Sequence, residues 1–368
     1  MKIIVSQDRL AQALAVVSKA ISNRSTIPIL SGILIRAEGN QLTLSATDHQ
    51  ISIEKTLEAQ VAENGSIVLP GRYFGEIVRR IPADKFEMAV NYGNQTALIF
   101  WPSSQYEIHG FPAEEFPLLP RPTADRIITI RQAVLRNLIR QTNYAVSHDE
   151  TRPILTGAYF RVEGNWAEMV ATDGVRMAHT KGQTVHHLEG EPWQTIIPGR
   201  ALAELVRILD DEGEDLEMTF NLSQVFFRLP GMMFATRVIE GRFVNFRQAT
   251  PREFMATCKL NNQVFLNALE RAALIADQSG QLLLNVQEDK VLITSNSPEV
   301  GKVYEEVPAE RNGENIELVF NPRYLIDALR NIEYSEVLFE ISGPLSPCKL
   351  RGTAFEVPYA VVLPIRTF

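Results

Sequence analysis

Only two cysteines, Cys258 and Cys348, occur in 368 residues. That excludes a disulfide framework and a thiolate metal centre, and it fits a reducing compartment. No run of about 18 apolar residues is present to cross a bilayer. The N-terminal MKIIVSQDRL reaches polar residues too early for a signal peptide, so the cytoplasm is the expected location. Walker A, GxGxxG and GxSxG sequences are all missing, which removes the usual signals for nucleotide hydrolysis, dinucleotide binding and serine hydrolysis. The six histidines never fall into HExxH spacing, and adjacent His186 and His187 would point to opposite faces of a strand, so neither metal nor cofactor is expected. No zinc finger, recognition-helix motif or aromatic signature of an RNA-binding sheet stands out. The formal net charge of −8 argues against a surface that coats nucleic acid everywhere, but it allows a local basic face.

What is present is repetition. With 45% hydrophobic and 22% charged residues the chain can bury two or three domain cores. A strand followed by an amphipathic helix recurs as KIIVSQDRLAQALAVVSKAI, RIITIRQAVLRNLIRQTNYAV and TCKLNNQVFLNALERAALIA. Leu10, Ala13, Leu14 and Val17 match Leu135, Leu138, Ile139 and Thr142, then Phe265, Ala268, Leu269 and Ala272, each set at the i, i+3, i+4, i+7 spacing of one buried stripe. LSATDHQISI, MVATDGVRMA and a fainter ITSNSPEVGK put Asp48, Asp173 and Asn296 at equivalent bends. A second strand and helix recurs as SIVLPGRYFGEIVRRI, TIIPGRALAELVRIL and ELVFNPRYLIDALRNI. The chain therefore reads as three copies of one domain, 1–124, 125–252 and 253–368, with joints at GFPAEEFPLLPRPTADR and GRFVNFRQATPREF. Each copy is doubled inside, with Gly39-Asn40 and Gly93-Asn94 at matching strand-to-strand turns of the first. The fold class is α+β, each domain holding two helices packed on largely antiparallel sheets.

The second helix of every copy carries arginine at two matching places: Arg72 and Arg79, Arg200 and Arg207, Arg323 and Arg330. A spacing of seven puts both on one face, roughly 150° from the centre of the apolar stripe. Helix stability alone would accept lysine, glutamate or glutamine there. Arg80, Arg131, Arg136, Arg140 and Arg271 add charge on related helices. A segregated basic lining suits phosphate contacts without base reading. Two other readings exist: a carboxylate-dependent enzyme using Asp48 and Asp173, and a repeat-built adaptor that does not encircle DNA. The enzyme reading weakens at Asn296, because a bend needs only a side chain that bonds nearby backbone.

RSTIPILSGILI, ATDGVRMA, EGRFVNF, FNPRYLIDAL and YAVVLPIR occur in the order found in the bacterial DNA polymerase III beta subunit family, the sliding clamps, and the chain resembles that family over its entire length. The resemblance implies a head-to-tail homodimer forming a closed ring of six DNA-clamp domains around double-stranded DNA. It implies processivity for the replicative DNA polymerase, with no catalysis and no membrane. The implied DNA contacts are Arg24, Arg72, Arg79, Arg80, Arg200, Arg207, Arg323 and Arg330. It also implies a pocket for short peptide motifs of the polymerase, the clamp loader, and repair and translesion polymerases. Matched by motif, the pocket comprises Leu155, Thr172, Gly174, Val175, Arg176, Met177, Asn321, Tyr324, Val361, Val362, Leu363, Pro364, Ile365 and Arg366. Taken alone, AVVLPIR reads as an edge strand stopped by proline; a peptide groove gives Ile365 and Phe368 a role. The dimer joint implied sets Tyr106 and Ile108 of one protomer against Leu274 and Ile275 of its partner. Val175, Val244 and Asn245 depart from the family's common residues, as do Asp149, Glu150 and Pro153.

Overall fold

The computed structural model describes residues 1–22, 27–122, 126–276 and 280–366. The first copy runs β1 (Lys2–Ser6), α1 (Gln7–Val17), β2 (Gly32–Glu38), β3 (Gln41–Thr47), β4 (Ile51–Glu58), β5 (Gln60–Glu63), β6 (Gly65–Pro70), α2 (Gly71–Arg80), β7 (Lys85–Asn91), β8 (Thr96–Trp101) and β9 (Ser104–His109). The second has β10 (Ile127–Arg131), α3 (Gln132–Arg140), β11 (Gly157–Thr172), β12 (Arg176–Pro198), α4 (Gly199–Leu205), β13 (Asp215–Phe220), β14 (Gln224–Leu229) and β15 (Met232–Arg237). A short helix, α5 (Phe246–Ala249), lies in the second joint. The third copy has β16 (Ala256–Asn261), α6 (Asn262–Ala276), β17 (Leu282–Val286), β18 (Lys290–Ser297), β19 (Gly301–Gly313), β20 (Ile316–Phe320), α7 (Pro322–Arg330), β21 (Glu336–Ile341), β22 (Cys348–Gly352) and β23 (Tyr359–Val362).

The predicted stripes hold these helices down. Leu10, Leu14, Leu135, Leu138, Phe265 and Leu269 are all buried, and each contributes roughly 1.5–3 kcal/mol relative to exposure. Phe74, Val78, Leu202, Leu205, Leu325 and Leu329 anchor the second helices in the same way, with Ile77 and Val206 only half-buried. The recurring Pro-Gly-Arg before the second helix has a steric cause. A Cβ on Gly71 would lie 2.3 Å from Ile21 Cδ1, and one on Gly199 would lie 2.9 Å from Val146 Cγ2. The third copy solves the same start differently: Asn321 caps α7 by accepting the Arg323 N–H at 3.0 Å, with Pro322 in the first turn.

The chain divides into two compact units, residues 1–132 with 207–238, and residues 133–206 with 239–368. The first holds a five-stranded sheet, β5-β1-β7-β8-β9, and an eight-stranded sheet, β10-β13-β14-β15-β4-β3-β2-β6. The second holds a ten-stranded sheet, β11-β12-β23-β22-β21-β16-β19-β18-β17-β20. Within the eight-stranded sheet, β4 of copy one pairs with β15 of copy two from Met232↔Lys55 to Thr236↔Ile51. Within the ten-stranded sheet, β12 of copy two pairs with β23 of copy three from Arg176↔Val362 to His179↔Tyr359.

Three expectations change. Asn296 is not at a bend: β18 continues through Ser297, Asn296 pairs with Lys302, and the chain reverses one step later, where Pro298 supplies the turn geometry. The left-handed residue in the Gly93-Asn94 turn is Gln95, φ 53°, rather than Gly93. Finally, β23 is no edge strand, since β12 and β22 flank it on both sides. Cys258 and Cys348 are buried, and burial pushes both thiols up to about 12, as expected of packing residues.

Candidate nucleic-acid interface and peptide groove

In the first unit, Arg72, Arg79 and Arg80 of α2 and Arg207 after α4 are exposed. In the second unit, Arg200 of α4 and Arg323 and Arg330 of α7 are exposed as well. Arg72, Arg79, Arg200, Arg323 and Arg330 lie on the sides of their helices away from the buried stripes, as the helical spacing predicts, whereas α4 ends at Leu205 and leaves Arg207 in the turn beyond it. Arg24 falls outside the described residues. Arg136 is half-buried, unlike the exposed Arg131, Arg140 and Arg271. Several of these cations carry an anion. Glu76, on α2, is shared by Arg79 at 2.7 Å and by Arg80. Its partial burial pushes the carboxyl up, but hydrogen bonds from Arg80 and Arg79 prevail and hold it below the usual carboxylate range. Arg330 Nη2 lies 2.7 Å from Glu270 Oε1 on α6, and Arg271 Nη2 lies 2.7 Å from Glu305 Oε2.

The peptide-groove residues all belong to the second unit. Their organiser is Arg176, whose side chain is 11% exposed. Its Nε donates to Asp173 Oδ2 at 3.0 Å and its Nη1 to Asp327 Oδ2 at 2.6 Å. The guanidinium carbon sits 4.7 Å from the Tyr324 ring centroid and 5.7 Å from that of Tyr144. Asp173 Oδ1 accepts the Val175 and Arg176 N–H groups, both at 2.9 Å, while Thr172 Oγ1 donates to the Arg176 carbonyl at 2.6 Å. Gly174, φ 94°, takes the left-handed position, and Val175 stands 41% exposed beside it. Beyond β23 the chain stays tied: Leu363 N–H reaches the Val175 carbonyl at 3.0 Å and Ile365 N–H the Val319 carbonyl at 2.6 Å. Ile365 is half-buried, and Arg366 is exposed.

Strand alternation sorts the remaining residues. Met177 and Val361 pack with Phe246 and Tyr359 in one apolar cluster, whereas Val362 turns into the main core of the third copy. Leu155 and Pro364 are also buried. Of the residues expected to form the groove, Gly174, Val175 and Arg366 are exposed, and Arg176, Asn321, Tyr324, Leu363 and Ile365 are half-buried. Val361 and Met177 lie beneath, and Val362 is not part of the surface.

A second polar cluster, absent from the sequence reading, ties down the joint that carries α5. Glu168 is buried, 4% exposed, with His179 Nε2 at 2.8 Å, Arg247 Nη2 at 3.0 Å and Lys181 Nζ at 3.4 Å. Burial pushes its carboxyl up, but the His179 hydrogen bond and the His179, Lys181 and Arg247 charges prevail and hold it at about 2. The His179 ring meets Tyr359 edge-on at 4.8 Å, and the Tyr359 hydroxyl meets Thr250 Oγ1 at 3.0 Å. Val244 and Asn245, the two departures in this joint, line a cleft of about 390 Å³ with Tyr159 and Phe243. Glu168, Asp327 and Tyr144 gave no sequence signal, because their partners are 11, 151 and 32 positions away and no motif links them.

At the implied dimer joint, Tyr106 is exposed and stacks on Trp101 with centroids 5.1 Å apart. Ile108 turns inward at 9% exposure, so its side chain is spent within its own sheet. Leu274 is 74% exposed, and Ile275 is half-buried.

The carboxylates of the enzyme reading are occupied by backbone. Asp48 Oδ1 accepts the Gln50 and Ile51 N–H groups at 2.9 and 2.7 Å, just as Asp173 serves its own turn. Among the described residues no group of three or more His, Cys, Asp or Glu side chains could hold a metal ion, and no helix is long and apolar enough to cross a membrane.

Comparison with known proteins agrees with this architecture. Family models match the chain at residues 1–120, 129–245 and 247–366, described as the N-terminal, central and C-terminal domains of the DNA polymerase III beta subunit. The chain is 37% identical over 379 residues to the beta sliding clamp of Staphylococcus epidermidis and 36% identical to that of Staphylococcus aureus, each alignment covering 100% of both chains. The crystal structure of the DNA polymerase sliding clamp from Bacillus subtilis superposes with a TM-score of 0.96 at 34% identity, again covering 100% of both chains. Three matched domains in family order, full-length relatives and a shared fold place this chain in the DNA polymerase III beta subunit family, the bacterial sliding clamps.

Proposed function

We propose that two copies of this chain close head to tail into a ring around double-stranded DNA and tether the replicative DNA polymerase to it. Each protomer contributes three clamp domains, 1–124, 125–252 and 253–368. The observation that carries the reading is the placement of arginine on the second helix of every copy. Arg72 and Arg79, Arg200, and Arg323 and Arg330 are exposed and opposite the buried stripe, and Arg207 is exposed in the turn just after α4. Arg80 and Arg24 join this set in the proposal. Such contacts address phosphate without reading sequence, and a closed ring needs no strong ones, because topology does the holding. Weak, salt-screened contacts also keep the barriers to sliding low.

The ring joint pairs the β9 region of one protomer, presenting Tyr106 and the backbone at Ile108, with the Leu274 and Ile275 end of α6 in its partner. Exposed apolar side chains at both places support this. The groove around Arg176, Tyr324, Leu363 and Ile365 takes short apolar motifs of the polymerase, the clamp loader, and repair and translesion polymerases, one partner at a time. Gly174 and Asn321 join its surface, and Leu155, Thr172, Met177, Val361 and Pro364 shape it from behind. The role is non-catalytic and the location cytoplasmic. The test is retention on circular duplex DNA: protein loaded on a nicked circle should stay bound and leave once the circle is cut. Equal retention before and after cutting, or a protein that is monomeric at all concentrations, would overturn the proposal.

A further inference from the structure

Three of the arginines proposed to face DNA, Arg79, Arg80 and Arg330, are each paired with a carboxylate. Glu76 sits three and four positions before Arg79 and Arg80 and pairs with both. Glu270 projects from α6 to meet Arg330 of α7 through two hydrogen bonds, 3.0 Å from Nε and 2.7 Å from Nη2. One pair lies in each compact unit, on different helices, so the arrangement does not follow from one local sequence motif. All five side chains are at least 37% exposed, so the pairs are accessible to a competing phosphate.

Resting on the DNA-facing reading above, we infer that Glu76 and Glu270 are built-in counter-ions that weaken the phosphate contacts of Arg79, Arg80 and Arg330, and so keep the ring mobile on DNA. A phosphate approaching one of these arginines must displace or share it with a carboxylate. The same carboxylate repels the phosphate directly, and an arginine already neutralised causes less counterion release when DNA binds. Exposed ion pairs of this kind are held weakly, so the exchange is reversible as phosphates pass. The charge set is therefore a graded lining: full attraction is available, but only after a local swap.

The experiment compares Glu76→Gln/Glu270→Gln, Arg79→Gln/Arg330→Gln and a control, Glu87→Gln, whose carboxylate pairs with Lys2 between strands β1 and β7. Affinity for a short linear duplex is measured across a salt series, and diffusion is followed after loading on circular DNA. The double glutamate variant should bind about 3- to 10-fold more tightly at low salt, with a steeper salt dependence, and should diffuse more slowly. The control should match the wild type. No gain from the glutamate variant while the arginine variant loses affinity sinks this inference and leaves the DNA-facing reading intact. An equal gain from Glu87→Gln reduces the effect to net charge and sinks it as well. If the glutamate and arginine variants both leave binding and retention unchanged, the DNA-facing reading falls with it. All the substituted side chains are exposed, and circular dichroism confirms that each variant is folded.

Discussion

Two seams join the sequence copies, and they start from the same turn. Thr47 and Asp48 at the first and Thr172 and Asp173 at the second make equivalent sets of four hydrogen bonds, each set closing a bend with a left-handed third residue, His49 or Gly174. After that they diverge. The fifth residue of the first turn is Ile51, 1% exposed and part of the core, and the neighbouring cleft of about 150 Å³ is narrowed by Pro117, Leu118 and Pro120. The fifth residue of the second is Arg176, which reaches to Asp327 and lies over the Tyr324 ring beside exposed Val175. The same backbone device carries an aliphatic core residue at one seam and a guanidinium tied to a distant helix at the other. A fold duplicated in sequence can thus give its equivalent seams different surfaces by changing few side chains.

The largest expected difference between the seams is in the carboxylates that hold the joints. At the second seam Glu168 is buried with its carboxyl held near 2 against an ordinary 4.5, so its contribution, roughly 3 kcal/mol, is present above pH 4.5 and lost as pH falls toward 2. Glu168→Gln should remove that much stability at pH 7 in denaturant unfolding and flatten the acid limb of the stability profile. At the first seam, Glu54 pairs with Arg121 at 2.7 Å but is more exposed, and Glu54→Gln should cost no more than about 1 kcal/mol. Equal costs would erase the distinction. Next in size is Arg176→Ala, which strands Asp327 and unstacks Tyr324 and should cost about 2 kcal/mol of stability. Calorimetry with a short apolar peptide should show at least a tenfold loss of affinity, about 1.4 kcal/mol. Unchanged peptide binding would move the groove elsewhere. The smallest contrast lies within the turns. Asp48→Ala should cost about 1 kcal/mol through its two backbone hydrogen bonds, and Asp173→Ala about 1 kcal/mol more because it also loses Arg176. Thermal melts of the two variants would show whether the turns are energetically alike.

Much of this was legible in the sequence, for reasons that particular residues make plain. The helices could be read because Phe74, Val78 and their counterparts repeat at the helical period, and the outward arginines followed from the same arithmetic. The Asp48 and Asp173 turns could be read because their hydrogen bonds span only two or three residues. The third copy misled for the same local reason: Asn296 sits where an aspartate would bend the chain, but its own pairing with Lys302, one further strand pair and Pro298 carry the reversal past it. Pairing of β4 with β15 and of β12 with β23 could not be read, because strand register between distant segments is decided by packing and leaves no local pattern. Arg176 was identified through family resemblance, but its partner Asp327, 151 positions away, looked like any polar residue on the side of a helix.

The position of β23 sets how the chain end bears load. Four residue pairs join it to β12 and four to β22, both ladders antiparallel, and the last groove residues follow directly. A peptide held against Leu363 and Ile365 and pulled along the strand would strain both ladders in shear, so their hydrogen bonds would have to rupture together instead of unzipping one by one. The residues of the proposed groove that follow β23 are therefore mechanically better anchored than a free tail of the same residues.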